Sequence, residues 1–106
     1  IIPHFGAGFF REALMAAQAA PNIHLDTSST NGWIRLMPHL TLRDVFARAL
    51  DVVGPGRLLF GSDSSTFPRG WHAAIHDAQM EVLTDLDVSV EDQHRIFAGN
   101  FDRVFA

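Results

Sequence analysis

Hydrophobic positions along the chain follow two periods. Phe9, Phe10, Ala13, Leu14 and Ala17 recur at spacings of one, three and four, which predicts an amphipathic helix over 8–20, ended by Pro21. Val45, Phe46, Ala49, Leu50 and Val53 predict a second over 41–53; Thr41 and Asp44 have capping-box spacing, with Asp in the Glu position, and "GPG" at 54–56 stops it. A third is expected over 70–86, with Trp71, Ile75, Ala78 and Val82 aligned as its buried face. A fourth follows Ser89, again at capping-box spacing from Asp92, and should end near Gly99-Asn100. The closing "FDRVFA" carries Phe101, Val104 and Phe105 as an apolar plug.

Between these helices lie short apolar runs: Ile1-Ile2, "NIHLD" and "RLLFGSD", predicting strands near 1–4, 22–26 and 57–63. Strand followed by helix, three times over, is the pattern of βα units around a parallel sheet, so the fold class is α/β. The longest irregular stretch, "TSSTNGWIRLMPHL" at 27–40, is of a length usually reserved for function or mobility.

Composition narrows the classes. The 106 residues are 47% hydrophobic and 19% charged, which suits one globular domain. A net charge of −4 with scattered basic residues argues against a nucleic-acid partner. With no cysteine, disulfides and thiolate metal sites are impossible. No apolar run reaches the length of a membrane span and no signal peptide is evident, so a soluble, cytoplasmic protein is expected.

In parallel α/β folds, the residues just past the carboxyl ends of strands build the site. Here those are His4 with Gly6 and Gly8, Asp26 with Thr27, Ser28 and Ser29, and Asp63 with Ser62, Ser64, Ser65 and Thr66. One hand for all crossovers brings them to one rim. A His, two Asp and a set of hydroxyls suit a metal site or general acid–base catalysis. Each also has a plainer reading. A His in a βα turn can simply bond backbone, and Asp26 before "TSS" reads first as an Asx turn. Asp63 is harder to dismiss, because a carboxylate at the tip of so apolar a strand needs a partner. "HFGAG" lacks the third glycine of a dinucleotide loop, that place being Arg11, and "GSDSS" has no nucleophile elbow. His72 and His76 stand four apart on a helix, where a solvated face is the expectation.

"IPHFGAGF", "PNIHLDTSS", "GPGRLLFGSDSSTFPRGW" and "IFAGNFDRVF" together resemble the last three βα units of the amidohydrolase-related branch of the amidohydrolase superfamily. That branch contains metal-dependent hydrolases, decarboxylases and hydratases on a TIM (β/α)8 barrel. The resemblance makes Asp63 the eighth-strand aspartate that contacts the metal and its water. It makes His4 the sixth-strand histidine, a metal ligand or an acid–base group. The loop after "NIHLD" would shape the substrate pocket; Ser28, Trp33 and Arg35 on it, with Ser64 and Arg69 after the third strand, are put forward as substrate-binding residues. A divalent ion, zinc by expectation, would activate water toward an amide, ester or lactone. Arg35 or Arg69 clamping a carboxylate would instead suit a non-oxidative decarboxylase.

Other marks of the family are missing. There is no H-x-H pair, fifth-strand histidine or bridging lysine, and a barrel of this kind needs about 250 residues. The expectation is therefore part of a barrel, incomplete in this chain: inactive alone, with at most the His4 and Asp63 ligands, completed by a missing amino-terminal half or by self-association. The rival is a non-catalytic βα fragment that acts only by association. Ile1, Ile23 or its neighbours, Leu59 and Gly61, on the inner face of such a wall, should then face solvent.

Overall fold

A computed structural model describes residues 1–65 and 69–106. Thr66, expected on the rim, lies outside the described residues. The helices form close to where the periodicity puts them: α1 is Phe10–Ala19, α3 is Leu42–Val53 and α4 is Ala73–Asp85, while the 27–40 stretch winds into a short α2, Thr30–Trp33, and a tight turn at Ile34–Leu36. Thr41 and Asp44 close the full capping box on α3. None of the helices is long and apolar enough to cross a membrane.

The strands are shorter than expected. The sheet is β1, Leu25–Asp26, parallel to β2, Leu58–Leu59, with Leu25 opposite Leu58 and Asp26 opposite Leu59. The predicted first strand is reduced to one parallel bridge: the Ile2 N–H donates to the His24 carbonyl and the Asp26 N–H to the Ile2 carbonyl, both at 2.9 Å. Backbone chemistry explains the truncation. Pro3 offers no N–H to a ladder, and His4, Phe5, Gly6 and Ala7 all have positive φ, between 48° and 83°. Gly6 is needed in that turn, since a Cβ on it would lie 2.7 Å from the Ala13 Cβ. Asp63, at φ 55°, is out of extension at the predicted last residue of the third strand, and the paired part of that strand is confined to Leu58–Leu59.

Leu25 and Leu58, side by side on the sheet, bury against Ala13, Leu14, Ala17, Val45, Phe46 and Ala49, with Phe5, Leu83 and Ile96 in the same cluster. Helices α1, α3 and α4 pack side by side in chain order. At the far end of β2, Arg57 donates to the Ala17, Ala20 and Ile23 carbonyls, the first at 2.7 Å, and so fastens the end of α1 to the start of the strand. The opposite sheet face is not bare. Leu59, on that face, is 4% exposed; Ile1 is exposed as expected, whereas Ile23 is covered because it packs against the same core as Leu25. The radius of gyration, 12.9 Å, is that of a compact domain of this length (about 13 Å).

Two helical expectations need correction. In α4 the buried residues are Gln79 and Leu83, while Trp71 precedes the helix and is 67% exposed. The fourth helix does not stop near Gly99-Asn100. α5, Val90–His94, capped by the Ser89 hydroxyl accepting from the Asp92 N–H, runs through a wider π turn at Arg95–Gly99 directly into α6, Asn100–Phe105. Asn100 is no stop, because its side chain is buried and its Nδ2 donates to the Pro55 carbonyl at 2.7 Å and the Leu58 carbonyl at 2.8 Å. With the Phe60 N–H donating to the Ile96 carbonyl at 2.9 Å, these bonds occupy the outer edge of β2.

Candidate functional site

Parallel pairing puts the carboxyl ends of Ile2, β1 and β2 on one rim, and the polar residues that follow them meet there. His4 Nδ1 lies 3.0 Å from the Ser28 carbonyl oxygen and 2.8 Å from Ser28 Oγ. A carbonyl only accepts, so Nδ1 carries a proton, and in the neutral form of the ring this leaves the lone pair on Nε2. Ser28 is in turn seated by Asp26, whose Oδ1 accepts the Ser28 N–H at 2.5 Å. That bond is the Asx turn expected of Asp26. A Cβ on Gly61 would come within 2.8 Å of the Ser28 Cβ and 3.1 Å of Asp26 Oδ1, so only glycine lets β2 leave the sheet this close to β1.

Asp63 meets the same turn from the other side. Ser29 Oγ donates to Asp63 Oδ2, and Ser65 Oγ donates to Oδ1 at 3.3 Å. The Ser29 hydrogen bond holds the Asp63 carboxyl below its usual range, against the opposing effect of burial, and the charge His4 can carry pulls it further down. Adjacent serines therefore serve different partners: Ser28 orients the imidazole and Ser29 keeps the carboxylate ionised.

The other candidates are placed less centrally. Ser64 follows Asp63 and is half-buried; Arg35 and Arg69 are exposed. Trp33 packs against Phe10, ring centroids 6.2 Å apart, with its Nε1 buried and without a hydrogen-bond partner. His76 does not sit on a solvated face: its ring lies among Phe60, Trp71 and Phe97, 4.6 Å from the last, and Nδ1 is 3.0 Å from Asp77 Oδ1.

Residue patterns missed the support beneath the rim. Gln79, fully buried on α4, accepts from Thr27 Oγ1 at 2.7 Å and donates to the Thr27 carbonyl at 3.3 Å and to Asn31 Oδ1 at 2.9 Å. A glutamine inside a helix reads as solvent-facing; the signal available was that it shares a face with Leu83, four residues on.

Imidazole nitrogen and carboxylate oxygen are donors that divalent cations take, and a ligating histidine characteristically gives its other N–H to a carbonyl, as His4 does. By residue type each of the two could join a cation's donor set. Among the described residues no group of three His, Asp or Glu comes together to hold a metal ion.

No curated protein and no solved structure matches the sequence. The family model for amidohydrolases does match, over residues 1–106. With that match running the whole length of a chain whose strand ends carry a tautomer-fixed histidine and an ionised aspartate, the protein belongs to the amidohydrolase family.

Proposed function

We propose that this chain carries the His4 and Asp63 portion of a metal-dependent hydrolase centre acting on an amide, ester or lactone. The observation that carries the reading is the His4 Nδ1–H bond to the Ser28 carbonyl, which reserves Nε2 for a cation or a proton. A bound divalent metal supplies Lewis acidity toward a carbonyl and a more acidic water at neutral pH. The chain's own residues would manage the protons. Asp63, kept ionised by Ser29, takes one proton at a carboxylate oxygen as the water oxygen bonds to the substrate carbonyl carbon. It returns that proton to the departing nitrogen or oxygen as the carbon–heteroatom bond breaks. His4 Nε2, with its lone pair free, either ligates the cation or accepts a hydrogen bond from the attacking water and so orients it. Ser28, Ser64, Trp33, Arg35 and Arg69 are the proposed substrate contacts.

Two donors leave the set short, since catalytic zinc sites normally have three protein ligands. We therefore assign the others to further strands of a (β/α)8 barrel, supplied by more chain or by a second copy. Pairing on the β2 side would exchange the Phe60–Ile96 bond for a ladder bond. Calorimetric titration of the 106-residue chain with zinc tests the reading. Weak one-to-one binding is expected, lost in both His4→Ala and Asp63→Asn; equal binding in either variant removes that residue from the centre.

A further inference from the structure

We infer that Gln79 is a positioning residue: one buried amide clamps both ends of the turn that holds His4 and Asp63. The inference rests on the proposed role of those two residues and extends it to a group that touches neither.

The turn Thr27–Asn31 has a peculiar task. Ser28 must present both its carbonyl and its hydroxyl to His4 Nδ1, while Ser29, the next residue, must deliver its hydroxyl to Asp63. Consecutive side chains are aimed at two groups on different strand ends, and Ser29 does this at φ 58°, in the left-handed region that serine seldom adopts. Nothing in a five-residue polar segment makes that conformation its own minimum. It has to be imposed, and the hydrogen bonds show from where. Gln79 Oε1 accepts the Thr27 hydroxyl and Gln79 Nε2 donates to the Thr27 carbonyl, fixing the residue before Ser28; the same Nε2 donates to Asn31 Oδ1, fixing the residue after Thr30. Three of the four hydrogen-bonding positions of one side chain bracket the two serines. Thr27 also links the turn to β2, its Oγ1 accepting the Gly61 N–H at 3.4 Å, two residues before Asp63.

Burial gives the clamp its rigidity. Gln79 and Thr27 are fully buried, so breaking these bonds strands polar atoms away from water, where leaving them unmet is costly. The clamp comes from the middle of a four-turn helix packed on α3, a more fixed platform than the loop it holds. Without it the turn keeps its bonds to Asp26, Leu59 and Gly61 and its own backbone bonds, Thr30 N–H to the Thr27 carbonyl and the Gly32 and Trp33 N–H groups to the Ser29 carbonyl. None of these fixes the Ser28 and Ser29 side chains, which can rotate away from their targets.

The test reads the His4 tautomer by nitrogen NMR of the 106-residue chain at pH about 8.5, two units above the ordinary imidazole range. His24, which bonds the Asn22 carbonyl outside this network, is the internal control. In the unmodified chain the two His4 nitrogens should be widely separated, with the proton on Nδ1. In Asn31→Ala and in Gln79→Leu they should move toward each other as the tautomers mix, with His24 unchanged. Asn31→Asp, which keeps the acceptor for Gln79 Nε2, should restore the original spectrum. His4 signals unmoved in both Asn31→Ala and Gln79→Leu overturn the inference. So does an equal change at His24, which would mean general loosening. If Gln79→Leu does not fold, the Asn31 pair decides alone. A chain that shows the His4 shift but binds no zinc keeps the clamp and rejects the metal reading.

Discussion

His4, Ser29 and Asp63 have φ of 59°, 58° and 55°, so three residues that meet at the rim share a left-handed backbone that L-residues adopt at a cost of about 1–2 kcal/mol each. Aspartate tolerates this region better than most; serine and histidine are held there by the bonds described above. Strain of this kind survives only where the surroundings over-determine it, and one tight point of those surroundings is the bare Cα of Gly61. Gly61→Ala places a methyl against Ser28 and Asp26 and should lower stability by about 1–3 kcal/mol, seen as a lower urea midpoint. The Ser28 and His4 resonances should shift with it. A variant as stable as the parent would mean that the exit of β2 moves freely. The polar cluster after each strand was visible in the sequence, as was Asp63 at the tip of an apolar run. The division of labour between Ser28 and Ser29 was not, because it depends on backbone angles that the residue types do not encode.

At the scale of elements, helices were the legible part and strands the illegible one. A helix writes its buried face every three to four residues within one segment, as Val45, Phe46 and Ala49 do in α3. A two-residue strand has no period to read, and the first predicted strand is cut to a single bridge at Ile2 by Pro3 and the left-handed residues after it. Asn100, read as a helix end, and Gln79, not singled out at all, are polar residues whose partners lie far away in sequence, where no local pattern shows them. Asn100→Ala strips donors from two carbonyls at the β2 edge and should cost about 1–3 kcal/mol, measured by denaturant unfolding. The capping box makes a pH prediction. The Thr41 hydroxyl, then the Thr41 N–H, hold the Asp44 carboxyl below its usual range. A folded-state value that is depressed contributes stability above the unfolded carboxylate value, near 4, and loses it as pH falls through the folded value. The stability difference between the parent and Asp44→Ala should therefore be full at neutral pH and shrink under acid. A difference independent of pH would assign the cap to the Thr41 hydroxyl alone.

For the whole molecule, apolar side chains remain outside the core: Phe9, Leu36, Trp71 and Val90 are exposed, as are Ile1 and the Phe101–Phe105 pair. Several such residues on a chain of this size favour association, and sedimentation velocity should show a concentration-dependent oligomer. A single monomeric species up to high concentration would contradict this. The form of that oligomer follows from the edge of β2. A ribbon of copies that grows without limit must expose an acceptor edge at one end and a donor edge at the other. In this chain Asn100 and Ile96 already satisfy the backbone of one of those edges, so a strand adding there must first displace those bonds, and addition between copies is easier on the Ile2 side. Two like edges can meet once about a two-fold axis, after which no free edge is left to recruit a third copy. Assembly through the sheet is thereby self-terminating. Concentrated solutions of this protein should contain pairs rather than fibres, until Asn100 is removed.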